Sequence, residues 1–305
     1  MKIIIIGRGN WGKTLGYLLE INGHQISFIS ARDQQLSEFL ITRNSEVNLI
    51  ISAVSMAGVR PIVNQLINID LPKDSILVTA TKGLDAVTTN TASQIWQEAL
   101  PDISLVVLSG PNLSAEINQG LPAASVVASH NIEAAKVVQQ VFSSPKFRVY
   151  TNGDPLGVEL GGTLKNVMAI ASGACDGLQL GTNAKAALLT RGLAEMIRIG
   201  IDWGAQAETF YGLSGLGDLL ATCNSSLSRN YQVGYGLAQG KSLAEVLQQI
   251  GSTAEGVNTT SVLVQRGENK GIYLPISAQV QKLLNNEITP QAAVAALMLR
   301  DTKPE

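Results

Sequence analysis

With 305 residues, 45% of them hydrophobic and 15% charged, the chain is long enough for two cores and too apolar to be disordered. Its formal net charge of −2 excludes a nucleic-acid binder that works through bulk positive charge. The two cysteines (Cys175, Cys223) and two histidines (His24, His130) lack metal-ligand or disulfide-framework spacing, and no apolar run reaches signal-core or membrane-spanning length. A reduced, cytoplasmic protein without membrane insertion is expected.

From the N-terminus, short Val/Ile/Leu-rich runs at Ile3–Ile6, Ile26–Ile29, Asn48–Val54, Ile76–Thr79, Ser104–Leu108 and Ser125–Ala128 predict strands. Amphipathic stretches at Thr14–Ile21, Gly58–Ile67 and Thr91–Leu100 predict helices between them. Continuous apolar strands alternating with helices imply a parallel sheet covered on both faces. The turn cluster Thr151–Pro155 reads as a linker. Beyond it only helical patterns follow, at Gly157–Ala174, Asn183–Gly200, Ser242–Ile250, Ser261–Lys270 and Ser277–Asn285. The expected architecture is α/β: a parallel-sheet domain over residues 1–150, then an all-helical domain over 151–305.

Gly7-Arg8-Gly9-Asn10-Trp11-Gly12 follows the first strand directly and opens a helix. In that setting G-x-G-x-x-G is a dinucleotide turn: Gly7 for the tight turn, Gly9 for backbone approach to a pyrophosphate, Gly12 for helix–strand packing. The first domain is therefore of Rossmann type. After the second strand comes Ser30-Ala31-Arg32-Asp33. Arg32 suits the 2′-phosphate of NADP(H), with a solvated surface charge as the rival reading. Asp33 could neutralise it or turn to the ribose, so NAD(H) use stays open.

Lys82, in Thr79–Gly83, and Gly110, in Leu108–Ser114, sit past strand ends, where open parallel sheets collect ligands, with ordinary turn chemistry as the rival reading. In the helical half, Glu159–Asn166 places Lys165 among small helical neighbours, including Gly161 and Gly162. Adjacent glycines in a helix cost stability unless something comes close, either a ligand near Lys165 or a packed helix. Asp218, after a glycine-rich loop, reads as a helix cap or as a carboxylate that orients a lysine. Ser228-Arg229-Asn230 offers a hydroxyl, a guanidinium and an amide, a set suited to a phosphate monoester. Thr253–Gly256 reads as a turn whose Glu255 could meet a cofactor ribose.

These blocks, in this order and through nearly the whole chain, resemble the bacterial NAD(P)-dependent glycerol-3-phosphate dehydrogenases. The resemblance implies reduction of dihydroxyacetone phosphate to sn-glycerol 3-phosphate for phospholipid synthesis. It implies Lys165 as proton donor at C2, with Lys82 and Asp218 holding and polarising the substrate. Gly110 and Asn112 would line the substrate site, and Ser228, Arg229 and Asn230 would grip the phosphate. Gly7, Gly9, Asn10, Trp11, Gly12, Arg32, Lys82, Ser114, Arg229, Thr253 and Glu255 would contact NAD(H) or NADP(H). The expected partner is a small phosphorylated substrate, with a homodimer as an option and no nucleic acid. The chain departs from the family pattern in four places. Arg8 replaces a small residue, Ser114 an alanine, the segment Asp33–Val47 is short, and no proline follows Val54. A Rossmann enzyme acting on an unphosphorylated substrate, such as ketopantoate, and a nucleotide sensor without turnover are the rivals. The phosphate-type block speaks against the first and the retained lysines against the second.

Overall fold

A computed structural model describes residues 1–30, 49–69, 71–72 and 74–301. Arg32 and Asp33 lie outside the described residues. Seven strands form one sheet: β1 (Lys2–Ile6), β2 (Gln25–Ile29), β3 (Leu49–Ser52), β4 (Ile76–Thr79), β5 (Ser104–Ser109), β6 (Ala123–Ala128) and β7 (Phe147–Asn152). Their order is β2-β1-β3-β4-β5-β6-β7. Helices α1 (Asn10–Ile21), α2 (Met56–Leu66), α3 (Ala92–Ala99), α4 (Ser114–Asn118) and α5 (Ile132–Phe142) join strands of this half. The isoleucine run of β1 serves both faces. Ile3 and Ile5 enter one core with Leu15, Leu19 and Phe142, while Ile4 and Ile6 enter the other with Val59, Ile62 and Trp96. A strand buried on both sides needs no polar alternation.

Two expectations about the sheet are corrected. The first five strands pair in parallel, but β6 runs antiparallel to β5. A parallel return needs a full crossover, and the 110–122 connection holds only the five-residue α4. The second correction is β7, which sequence reading passed over and partly assigned to a linker. Phe147 and Val149 are buried while Arg148 and Tyr150 are exposed. This is the period-two pattern of an edge strand with one wet face, unlike the solid apolar runs of the inner strands.

Asp154 then caps α6 (Pro155–Gly177), accepting the Gly157 N–H at 2.9 Å, with proline in the first turn where its missing N–H costs nothing. After it come α7 (Gly181–Trp203), a 3₁₀ turn (Ala207–Tyr211), a π turn (Leu213–Gly217), α8 (Asp218–Cys223), α9 (Arg229–Ala238), α10 (Leu243–Ile250), α11 (Glu255–Lys270), α12 (Pro275–Leu284) and α13 (Pro290–Met298). Helix α6 is buried on nearly every side, because α7, α8, α9, α11 and α12 all pack on it. Leu160, Leu164, Val167, Met168 and Ile170 anchor the helical core with Phe210, Leu219 and Val233. Gly173 and Gly234 let α6 and α9 cross backbone to backbone; a Cβ on Gly173 would strike Tyr231 O, and one on Gly234 would strike Ile170 O. Val158 of α6 packs with Val107 and Val126 of the sheet, so the long helix joins the sheet to the helical half. Among the described residues no helix is long and apolar enough to cross a membrane.

Candidate active site

Past the carboxyl ends of β3 and β4, Met56 and Lys82 reach the starts of α11 and α8, at Glu255 and Asp218, and α6 packs on β5. Gly7 takes φ +118°, and a Cβ there would lie 2.5 Å from Ala53 O. A Cβ on Gly12 would strike Gly7 O. Around Gly9 a Cβ would meet nothing within 4 Å, and Gly9 begins α1 with no side chain capping its N–H groups. An open N-terminus with free amides and no side chain in the way fits the pyrophosphate of a dinucleotide. Asn10 is exposed, and Trp11 packs its ring on the sheet core while its indole N–H is buried without a partner.

Two lysines converge on Asp218, the first residue of α8, only 2% exposed. Its Oδ2 accepts from Lys82 Nζ at 2.7 Å and its Oδ1 from Lys165 Nζ at 2.9 Å. Lys165 also donates to Thr222 Oγ1, and that hydroxyl donates back to Asp218 Oδ1 at 3.1 Å. Lys82 reaches across from the end of β4 and donates to Gly110 O at 3.1 Å. Gly110 offers that carbonyl at φ +147°, a conformation that favours glycine. The paired glycines of α6 explain themselves here. A Cβ on Gly162 would strike Ser109 Oγ and crowd Lys82 Cε at 3.3 Å; one on Gly161 would lie 2.7 Å from Ser214 O in the π turn. Gly162 therefore makes room for Lys82 and Ser109, and Gly161 for close packing against the π turn.

Burial alone would push the Asp218 carboxyl up, but the ammonium groups of Lys165 and then Lys82 outweigh it and hold the carboxyl below its usual range. Lys82 is held below the ordinary lysine value by burial first and by its like-charged neighbour Lys165, against the pull of Asp218. Two cations on one carboxylate leave the centre with a net positive charge, suited to an oxygen that becomes negative during reaction.

The remaining expected residues fall around this centre in different ways. Asn230 Oδ1 accepts the Gly256 N–H at 3.0 Å and so ties α9 to the start of α11. Ser228 Oγ caps α9 through Tyr231 N–H at 3.2 Å, with its own proton left to donate. Arg229 is exposed and interacts electrostatically with Glu255. Glu255, expected in a turn, instead opens α11; its Oε1 accepts the Met56 N–H at 3.3 Å, which brings it beside the start of α2. Burial raises its pKa. Thr253 is exposed and Ser114 begins α4. The Asn112 amide is engaged by β6, donating to Ala124 O at 3.2 Å and accepting from Ser125 Oγ at 3.2 Å. Sequence reading missed Thr222. Its spacing of four from Asp218 on a helix was the available signal.

Such an arrangement, a glycine turn of dinucleotide type and a lysine on the sheet meeting a lysine and a carboxylate on the helical half, is that of an oxidoreductase using a pyridine dinucleotide. Family models described as the C-terminus and the N-terminus of NAD-dependent glycerol-3-phosphate dehydrogenase match residues 154–295 and 40–135. The NAD(P)+ glycerol-3-phosphate dehydrogenase of Trichormus variabilis is 60% identical, over 99% of this chain and 98% of that protein. The Synechocystis protein of the same name is 55% identical, over 100% and 95%. The crystal structure of glycerol-3-phosphate dehydrogenase from Coxiella burnetii superposes with a TM-score of 0.90 at 31% identity, covering 98% of this chain and 99% of that one. The chain belongs to the NAD-dependent glycerol-3-phosphate dehydrogenase family.

Proposed function

We propose that the chain interconverts dihydroxyacetone phosphate and sn-glycerol 3-phosphate with NAD(H) or NADP(H), supplying glycerol 3-phosphate for phospholipid synthesis. A bound nicotinamide would supply or accept the hydride at C2. Lys165 gives its proton to the C2 oxygen on reduction and takes it back on oxidation. Asp218 holds the ammonium of Lys165 in place through Oδ1 and that of Lys82 through Oδ2. Lys82 adds a second positive group for the developing alkoxide. Arg229 supplies a planar guanidinium for the substrate phosphate, with the Asn230 amide and the Ser228 hydroxyl beside it. Gly110 keeps the substrate side of β5 free of a side chain. Gly7, Gly9 and Gly12 shape the pyrophosphate turn, while Asn10, Trp11, Ser114, Thr253 and Glu255 border the dinucleotide. The observation that carries this reading is the pair of lysines converging on the buried Asp218 carboxylate.

The test is absorbance at the nicotinamide band with purified protein, dihydroxyacetone phosphate, and NADPH or NADH in parallel. Cofactor oxidation that requires the substrate is expected. Folded protein that oxidises neither cofactor overturns the substrate assignment.

A further inference from the structure

NADP differs from NAD by one phosphate on the adenosine ribose, and in an open doubly wound sheet that ribose lies at the carboxyl end of the second strand. Two hydrogen bonds tie the glycine turn to that strand end. Gly7 N–H donates to Ile29 O at 2.9 Å, and Arg8 Nη2 donates to Phe28 O at 3.0 Å. The second bond sets the Arg8 guanidinium beside the last residues of β2. It uses one of the five N–H donors of the group. Arg8 is exposed, and none of the ion pairs among the described residues involves it. The residue that follows β2 is Ser30, not an acid that would repel a phosphate. The glycines and the α1 amides suffice for the pyrophosphate common to both cofactors, so an arginine between Gly7 and Gly9 has no work there.

We propose that Arg8 reads the 2′-phosphate and gives the chain a preference for NADP(H). This rests on the dinucleotide reading above. The ribose phosphate is a near-dianion, and a fork of donors already braced against a carbonyl loses little freedom on meeting it. Arg8 discriminates between the cofactors and takes no part in hydride or proton transfer.

Calorimetric titration with 2′,5′-ADP and 5′-AMP, which differ only by the 2′-phosphate, tests this without turnover, on the natural chain, Arg8→Ala and Arg8→Lys. The natural chain binds 2′,5′-ADP more tightly. Arg8→Ala reduces that preference by about 10-fold or more, the scale of a hydrogen bond to a charged group, and Arg8→Lys restores part of it. The preference also shrinks as salt rises, because the group is exposed. A preference that survives in Arg8→Ala overturns the proposal. So does an equal loss for both fragments, which would make Arg8 a brace of the turn. If neither fragment binds the natural chain, the dinucleotide reading itself falls.

Discussion

At the glycine turn, the groups that would meet a ligand are backbone N–H groups at the open start of α1, and nothing lies within 4 Å of where a Gly9 side chain would begin. Around Asp218 the opposite holds. Both carboxylate oxygens are engaged by side chains from three separate elements, at 2.7–3.1 Å, in a place 2% exposed. One end of the site is made of main chain and left open, and the other of side chains and sealed. The difference teaches where the sequence is free to vary. A backbone cradle tolerates any side chain that points away, which is why Arg8 can stand in it. In a sealed charge cluster every loss is costly, because each partner is the compensation for another's burial.

The largest effect is expected at Lys165, the proposed proton donor of the sealed cluster. Lys165→Ala should lower kcat by roughly 10²–10⁴-fold, the usual contribution of a positioned proton donor, while NADPH binding by fluorescence titration stays close to that of the natural chain. A variant with normal turnover removes Lys165 from the proposed role. Loss of dinucleotide binding in step with turnover would mean that the two ends are not separable.

Asp218→Asn probes the same cluster through stability. Removing the anion leaves two buried ammonium groups uncompensated, at a cost of about 3–5 kcal/mol near neutral pH. The carboxyl is held below its ordinary value in the folded chain. Its stabilising contribution is therefore complete above the unfolded carboxylate value and disappears as pH falls through the folded one. Urea midpoints of the natural chain and the variant should converge on acidification. A gap that stays constant with pH places the stabilisation in packing instead of charge.

Arg229→Ala comes next. The guanidinium is exposed and outside the sealed cluster, so the fold should hold. The Michaelis constant for dihydroxyacetone phosphate should rise by the equivalent of roughly 2–3 kcal/mol. An unchanged constant takes Arg229 out of the phosphate site.

The same contrast decided what the sequence disclosed. The inner strands and the glycine turn were legible, since a strand buried on both faces announces itself as a run like Ile3–Ile6 and the turn has a fixed spacing. Strand β7 was not, because Phe147 and Val149 alternate with the exposed Arg148 and Tyr150. The reversal of β6 was hidden too, since strand direction depends on the connection and leaves no mark in the strand itself. Lys82, Lys165 and Asp218 could be singled out one at a time, but not their convergence. Lys82 and Asp218 are 136 positions apart, and only the sheet-to-bundle packing brings them to 2.7 Å. Thr222 was passed over because a lone threonine in a short helix has no distinguishing pattern until Lys165 is seen to donate to it.

The smallest effect, and the sharpest test of the contrast, lies in two glycines of one turn. Gly12→Ala drives a Cβ into Gly7 O, so the helix must shift off the strand. Overpacking of this kind costs roughly 1–3 kcal/mol, and the melting temperature should fall whether or not a nucleotide is present. Gly9→Ala meets only open space, at φ −71° and ψ 175°, a backbone conformation any residue adopts. Its stability should stay within about 1 kcal/mol, the scale of an exchange at a helix start. What it should lose is dinucleotide affinity, because the methyl group stands where the pyrophosphate must approach the amides. Differential scanning calorimetry with and without NADPH separates the two. If Gly9→Ala keeps full stabilisation by NADPH, the pyrophosphate does not lie against Gly9, and the open start of α1 is not the cradle.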